Sequence, residues 1–171
     1  MRLQGCDYSQ DGVYFVTTCT DQREELLCTI VDESVCLSDY GKVVQAAWHE
    51  LPKHYPHVCL DAFVIMPNHV HAIVILTNEV GAGLRPAPTT HEESRHGLPE
   101  IVRAFKSFSA REINKMRGTP GAKVWQRGFY EHVIRDENDL DTMRQYIIDN
   151  PARWQPDHET ATIRSRERLH P

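Results

Sequence analysis

Two long apolar segments that almost touch in the sequence constrain the fold of this chain most strongly. Val58–Met66 and Val70–Leu76 are nearly continuous in apolar residues, and the short Pro67-Asn68 connection joins them. Strands that are apolar on both sides belong in the centre of a sheet, where both of their faces are covered. The sequence therefore predicts two central strands with a tight connection between them.

Shorter patterns predict the other elements of secondary structure. A β-rich strand, Val13–Cys19, follows Asp11-Gly12, and two short β-leaning pieces lie between Leu26 and Leu37. Ser38 and Asp136 are typical N-caps, and proline is favoured in the first turn of a helix. The predicted elements are a helix over 39–51 closed by Pro52, a helix from Leu98-Pro99 to just before Gly118, a strand over Val124–Ile134 and a helix over 137–149 closed by Pro151.

The length predicts a single domain with a substantial core. The 171 residues divide into a domain over 1–154, with a flexible loop over 78–97 inside it, and a charged tail over 155–171. No apolar run reaches the roughly 20 residues that a membrane-spanning helix needs. The five cysteines show no Cys-x-x-Cys spacing, which favours small buried residues in a reducing cytosol over disulfides or a zinc site.

Basic residues are concentrated in one part of an acidic chain. The net charge is −5, yet residues 99–128 hold seven Lys or Arg against two acidic residues. Such a region either binds phosphates or forms a solvated helix face. The candidates for DNA contact are Arg103, Lys106 and Arg117, followed by Lys123 and Arg127.

The beginning of the second central strand carries two histidines that can share a ligand. His69 and His71 point to one face, because side chains alternate along a strand, and two imidazoles so placed can hold one divalent metal ion. In the last helix, Tyr146 and Asn150 are four residues apart and share a face. Tyr146 can act as a nucleophile beside such a metal ion, and the amide oxygen of Asn150 suits Mg²⁺ or Mn²⁺ as a third ligand.

Each of these residues also has an ordinary structural interpretation. The histidines can be plain strand residues, and Tyr146 a half-buried helix tyrosine. Tyr130 is the competing nucleophile, in a strand beside His132, which can orient a ligand or serve structure alone. Tyr146 is preferred because only it has a polar partner one helical turn away.

These motifs resemble those of a known family. Met66-Pro67-Asn68-His69-Val70-His71 and Tyr146-Ile147-Ile148-Asp149-Asn150-Pro151 are similar to the motifs of the single-tyrosine HUH transposases, and within them to the REP-associated tyrosine transposases. The likeness extends from Arg2 to Trp154 and includes Trp125-Gln126-Arg127-Gly128-Phe129-Tyr130-Glu131-His132. The resemblance implies an α+β sandwich with a central antiparallel sheet, helices on one face and RRM-like or ferredoxin-like topology.

The resemblance also implies an activity. Tyr146 would be the nucleophile, and His69, His71 and Asn150 would bind Mg²⁺ or Mn²⁺. The wider family commonly has Gln as its third ligand, whereas Asn at position 150 fits the REP-associated branch. The protein would cut single-stranded DNA next to imperfect hairpins, forming a 5′-phosphotyrosine bond and freeing a 3′-OH. It would act in the cytoplasm, associated with the nucleoid when bound to DNA, as a monomer or homodimer.

Two other functions remain open at this point. A domesticated hairpin-binding protein would use the same DNA surface without a covalent step. A small metallohydrolase would use the tyrosine only to orient a bound water. A covalent protein–DNA adduct would distinguish the transposase from both.

Overall fold

The computed structural model describes residues 12–77 and 96–154. The predicted tail and most of the predicted loop over 78–97 lie outside these residues. The described strands are β1 (Gly12–Cys19), β2 (Cys28–Val31), β3 (Ser34–Leu37), β4 (Val58–Met66), β5 (His69–Leu76) and β6 (Tyr130–Ile134). The helices are α1 (Asp39–His54), α2 (Leu98–Arg117) and α3 (Glu137–Asp149), with single 3₁₀ turns at Asp21–Arg23 and Pro151–Arg153.

Four of the strands form one antiparallel sheet in the order β4-β5-β1-β6. Each of its three pairings is antiparallel, and β1 and β5 pair along their whole length from Gly12 opposite Leu76 to Cys19 opposite His69. β2 and β3 form a separate hairpin before α1. The expected α+β fold with a central antiparallel sheet is confirmed, and its strand order is that of the RRM-like and ferredoxin-like topology.

Alternation along the central strands directs side chains to two different cores. Val70, Ala72 and Val74 of β5 face α1 and α2, where they join Trp48 and Phe105 in the larger core. Ile73 and Ile75 of the same strand face α3, with Ile147 and Leu140. The expectation that the helices lie on one face holds for α1 and α2 and is wrong for α3, whose apolar stripe covers the opposite face.

Three further expectations need correction. α1 continues through Pro52 to His54, because only the hydrogen bond to the Trp48 carbonyl is lost and Tyr55 still donates to Leu51 at 2.8 Å. The strand predicted over Val124–Ile134 begins only at Tyr130, since the indole of Trp125 turns into the α2 core. Cys19 and Cys28 are buried as predicted, whereas Cys36 is exposed.

Candidate active site

The two predicted histidines lie side by side at the start of β5. Their Nε2 atoms are 3.0 Å apart. The other ring nitrogen of each is held by a neighbour: His69 Nδ1 donates to the side-chain oxygen of Asn68 at 2.7 Å, and His71 Nδ1 is hydrogen-bonded to Thr17 Oγ1 at 2.7 Å. Thr17 lies directly opposite His71 in the register of β1 and β5. Both rings are therefore held in place, with their Nε2 atoms in hydrogen-bonding contact with each other.

The histidine pair is deeply buried. His69 is 0% exposed and His71 1%. Burial, followed by the charges of His71 and Arg23, holds the pKa of His69 well below its usual range. His69 is therefore neutral near pH 7, which is the state in which an imidazole binds a metal ion.

Tyr146 projects from α3 onto this pair. Its ring centroid is 5.2 Å from that of His71 and 5.8 Å from that of Phe15, with edge-on geometry in both contacts. Phe15 in turn stacks on His71 at 5.4 Å. The apolar stripe of α3 fixes this placement, because Ile147, the next residue, is buried in the core beneath the helix.

Asn150 ends α3 one helical turn after Tyr146. It is 3% exposed, and its amide nitrogen is 3.4 Å from the Tyr146 carbonyl oxygen. Its Oδ1 is buried and has no hydrogen-bond partner among residues 12–77 and 96–154. A buried acceptor without a donor is costly, and such atoms are typical of sites that hold an ion or another ligand.

This donor set fits a divalent cation. Two nitrogen ligands at adjacent positions of an octahedral ion, with bonds of about 2.1 Å, lie about 3.0 Å apart, which matches the separation of the two Nε2 atoms. The amide oxygen suits Mg²⁺ or Mn²⁺, whereas imidazole is a ligand more typical of Zn, Cu, Fe and Ni. Among the described residues no group of three or more His, Cys, Asp or Glu side chains could hold a metal. Asn150, at the end of the helix that carries Tyr146, is the third ligand that the sequence predicts.

Tyr130 and His132 lie on the same face of the sheet as the histidine pair. They belong to β6, which is separated from β5 by β1. Tyr130 is opposite Thr17 in the β1–β6 register, and its ring is 6.5 Å from Phe15. His132 Nε2 is 2.9 Å from a carboxylate oxygen of Asp139, which joins β6 to the first turn of α3. The Tyr146 ring contacts the His71 ring directly, whereas the described contact of the Tyr130 ring is with Phe15.

Four of the five predicted DNA-contacting residues line one groove of about 500 Å³ between α2 and residues 121–129. Arg103, Lys123 and Arg127 are exposed there. The ammonium of Lys106 instead donates to the carbonyls of Gln126 at 2.5 Å and Gly128 at 2.9 Å, so it holds the 121–129 segment against α2. Burial lowers the pKa of Lys106.

Arg117 lies apart from that groove. Its guanidinium is 4.8 Å from the ring centroid of Tyr40 and 3.8 Å from a carboxylate oxygen of Glu24, and its side chain is only 20% exposed. The structure therefore assigns Arg117 a contact with α1 and the turn after β1.

Sequence reasoning did not identify the residues that surround the histidines from other elements. Thr17 holds His71, Arg23 carries a positive charge near His69, and the Trp154 ring lies 5.9 Å from the His69 ring. Thr17 could have been found only with the β1–β5 register. Asn68, which holds His69, was part of the motif but was given no role.

The fold and this constellation define a class of protein, an RRM-like α+β domain with a histidine pair facing a helix-borne tyrosine. The structure resembles that of a REP-associated tyrosine transposase bound to a REP hairpin, with a TM-score of 0.57 and 22% identity, over 89% of this chain and 73% of the other. No protein-family model matches the chain.

Two proteins of Haemophilus influenzae are similar in sequence. An uncharacterized protein is 34% identical over 163 residues, which is 92% of this chain and 89% of the relative. A protein described as a "putative REP-associated tyrosine transposase" is 29% identical over 148 residues, which is 86% of this chain and 74% of the relative. Sequence and fold thus both make the chain similar to proteins described as REP-associated tyrosine transposases.

A transmembrane helix is not found in the described parts of the chain, where no helix combines the required length and apolarity.

Proposed function

We propose that this protein is a metal-dependent endonuclease and strand transferase that acts on single-stranded DNA at repeat-associated hairpins. The observation that carries the proposal is the histidine pair itself. Two buried imidazoles whose Nε2 atoms converge at 3.0 Å lie in ring contact with a tyrosine. The similarity to a protein described as a REP-associated tyrosine transposase and the hairpin-bound structural neighbour support DNA hairpins as the substrate.

In this proposal Tyr146 is the nucleophile. Its phenolic oxygen attacks the phosphorus of the scissile phosphodiester and loses its proton, while the bond from phosphorus to the 3′ oxygen breaks. That oxygen takes up a proton and leaves as a 3′-OH, and the 5′ side stays attached to Tyr146. A 3′-OH can later attack the phosphotyrosine and restore a phosphodiester, so strand transfer needs no external energy source.

His69, His71 and Asn150 would hold Mg²⁺ or Mn²⁺. When bound, such an ion neutralises charge on the scissile phosphate and helps to orient it. The contribution of the chain is to fix the donors: Thr17 and Asn68 hold the imidazole rings, and the end of α3 presents the Asn150 oxygen one turn from Tyr146.

The groove beside α2 would bind the phosphate backbone of the hairpin. Arg103, Lys123 and Arg127 are exposed along it, whereas Lys106 would act by holding the segment that carries Arg127. Each neutralised phosphate contact makes the slope of log K against log salt more negative by about 0.9. Replacing Arg103 and Arg127 with Gln should therefore make that slope about 1.8 less negative.

The test uses the purified chain with end-labelled single-stranded hairpin DNA from repeats near its own gene, with Mn²⁺, Mg²⁺ or EDTA. We expect a labelled band at protein mass on a denaturing gel with either metal and none with EDTA. Tyr146→Phe should lose the band, while Tyr130→Phe is the matched control and should keep it.

The other outcomes separate the competing functions. DNA binding without an adduct would favour the hairpin-binding protein. Turnover of a generic phosphodiester without a protein-linked product would favour the metallohydrolase. Either result, obtained with folded wild-type protein, would reject the proposed activity.

A further inference from the structure

The turn after β1 places Arg23 beside the histidine pair in a fixed position. Gln22 and Arg23 both have left-handed backbone conformations, with φ of 52° and 60°, which are unfavourable for residues other than glycine. The turn is fastened by Thr20, whose N–H and hydroxyl both donate to the Asn68 carbonyl at 2.9 Å. The side chain of the same Asn68 holds His69. A strained turn that is hydrogen-bonded to the residue holding His69 suggests a functional constraint.

Arg23 is a cation without a carboxylate partner in the described parts of the chain. The carboxylate of the next residue, Glu24, approaches Arg117 instead, at 3.8 Å. Arg23 is half-buried, and Thr20 at the start of the same turn is hydrogen-bonded to Asn68, whose side chain holds His69. A partly buried arginine beside the histidine pair creates a local site for an anion, and a guanidinium matches the geometry of a phosphate.

Trp154, at the end of the described chain, borders the same histidine. Its ring lies 5.9 Å from that of His69 at 40°. The backbone is held by the turn after α3, where Arg153 N–H donates to Asn150 and Trp154 N–H to Pro151. Trp48 and Trp125 are buried in the α1/α2 core, whereas Trp154 is half-buried. A partly exposed indole next to the histidine pair offers a face on which a base can stack.

We propose that Arg23 and Trp154 form a subsite for one nucleotide of single-stranded DNA, adjacent to the bond that Tyr146 would cut. The Arg23 guanidinium binds the phosphate of that nucleotide, and the Trp154 indole stacks on its base. The inference rests on the proposed function, since it takes the histidine pair as the place of the scissile phosphate.

The turn that carries Arg23 also adjoins the basic groove. Asp21 N–H donates to the Val124 carbonyl at 2.8 Å, and Gln126 N–H donates to the Cys19 carbonyl at 2.9 Å. The segment that forms one wall of the groove is thus hydrogen-bonded to the end of β1 and to the turn after it. A strand leaving a hairpin held in the groove would cross this turn to reach His69.

The test measures binding in a Tyr146→Phe background, which prevents the covalent step. The probes are the labelled hairpin from repeats near the gene with single-stranded flanks of about ten nucleotides, and the same hairpin without flanks. We expect Trp154→Ala to weaken binding of the flanked probe by about 5- to 150-fold, the usual effect of losing one aromatic–base stack, and to leave the blunt hairpin unaffected. Trp154→Phe should keep most of the affinity.

Abasic substitutions along the flanks locate the stacked base. One abasic position should weaken binding to the Tyr146→Phe protein and have no further effect once Trp154 is replaced with Ala. Arg23→Gln should make the slope of log K against log salt about 0.7 less negative for the flanked probe, as expected for the loss of one single-strand phosphate contact. The matched controls are Phe108→Ala and Arg111→Gln, which remove a partly exposed aromatic residue and an exposed arginine from α2.

Intrinsic fluorescence gives a second measurement. Because the other two tryptophans are buried, stacking of a base on Trp154 should quench part of the emission, and Trp154→Phe should abolish that quenching. Equal affinity of Trp154→Ala and its parent for the flanked probe would overturn the inference. So would a loss that is the same for every abasic position.

Failure of the subsite and failure of the proposed function give different results. If wild-type protein forms adducts but Trp154→Ala binds flanked DNA normally, the subsite is rejected and the nuclease stands. If no adduct forms but the loss at one flank position depends on Trp154, the subsite stands as part of a DNA-binding protein.

Discussion

The two faces of the central sheet bury different chemistry, although the same strands build both. On the α1/α2 side, β5 contributes Val70, Ala72 and Val74 to a continuous apolar core. On the α3 side the same strand presents His69 and His71 before it returns to apolar residues at Ile73 and Ile75. Along β5, the polar residues are thus confined to one end of one face.

The two faces therefore differ in what they contribute: apolar burial on the α1/α2 side stabilises the fold, and the polar groups on the α3 side form the candidate site. Burying apolar surface stabilises the fold, whereas burying a polar group costs free energy unless its hydrogen bonds are made. At the α3 face the ring nitrogens are held by Thr17 and Asn68, while the described part of the chain offers the Asn150 oxygen no donor. We infer that the α1/α2 core supplies most of the stability and that the end of the α3 face is kept polar for its ligand.

Truncation of the α1/α2 core should have the largest effect on stability. Phe105 is 1% exposed and packs against Trp48 and Trp125. We expect Phe105→Ala to lower the free energy of unfolding by about 3–5 kcal/mol, measured by urea denaturation. Mn²⁺ affinity, measured under conditions where the variant is folded, should stay unchanged. A large loss of metal affinity would show that the two faces are not separable.

Thr17 tests the opposite face. Thr17→Val removes the hydroxyl that holds His71 and keeps the shape of the side chain. Loss of such a supporting hydrogen bond typically costs 10- to 100-fold in metal affinity or activity. Isothermal titration with Mn²⁺ should show a decrease in this range. Unchanged affinity would mean that Thr17 does not position the ring.

The depressed pKa of His69 predicts a pH dependence of stability. Unfolded histidine binds a proton near pH 6.5, whereas buried His69 does not, so the free energy of unfolding should fall as the pH drops below about 6.5. The contribution is at most about 1.4 kcal/mol per pH unit and is fully present above pH 6.5. Denaturation in EDTA should show a shallower acid slope for His69→Gln than for the wild type. The exposed His54 supplies the control, since His54→Gln should leave the slope unchanged.

Thr18 should give the smallest effect and the clearest contrast with its neighbour. It follows Thr17 in β1, so its side chain faces the α1/α2 side, and its buried hydroxyl has no hydrogen-bond partner among the described residues. Thr18→Val removes that unsatisfied group, and we expect unfolding to cost about 1 kcal/mol more. Metal affinity should not change. Destabilisation by Thr18→Val would contradict the assignment of its side chain to an apolar face.

Local periodicity predicted most of the secondary structure and the shared faces of the site residues. The period of two placed His69 and His71 together, and the spacing of four placed Asn150 beside Tyr146, because both relations depend on one element alone. The strand order and the antiparallel sheet came from the resemblance to a family. The prediction that α3 lies on the same face of the sheet as α1 and α2 was wrong. A stripe of apolar residues shows that a helix packs against a sheet, but it does not show against which of the two faces.

The missed contacts all connect elements that are distant in sequence. Arg117 has the pattern of an exposed helix residue, but Glu24 and Tyr40 approach it from the turn after β1 and from α1. Lys106 likewise turned out to be bound by backbone carbonyls twenty or more residues away. Pairings of this kind depend on tertiary packing, which periodicity within a helix does not contain.

The most direct test of the central claim is to identify the amino acid that becomes linked to DNA. Wild-type protein is incubated with Mn²⁺ and the hairpin substrate, digested with nuclease and protease, and the nucleotide-bearing peptide is sequenced by mass spectrometry. The account predicts a 5′-phosphate linked to Tyr146, one helical turn before Asn150. A nucleotide on Tyr130, or on a residue of the α1/α2 side, would contradict it.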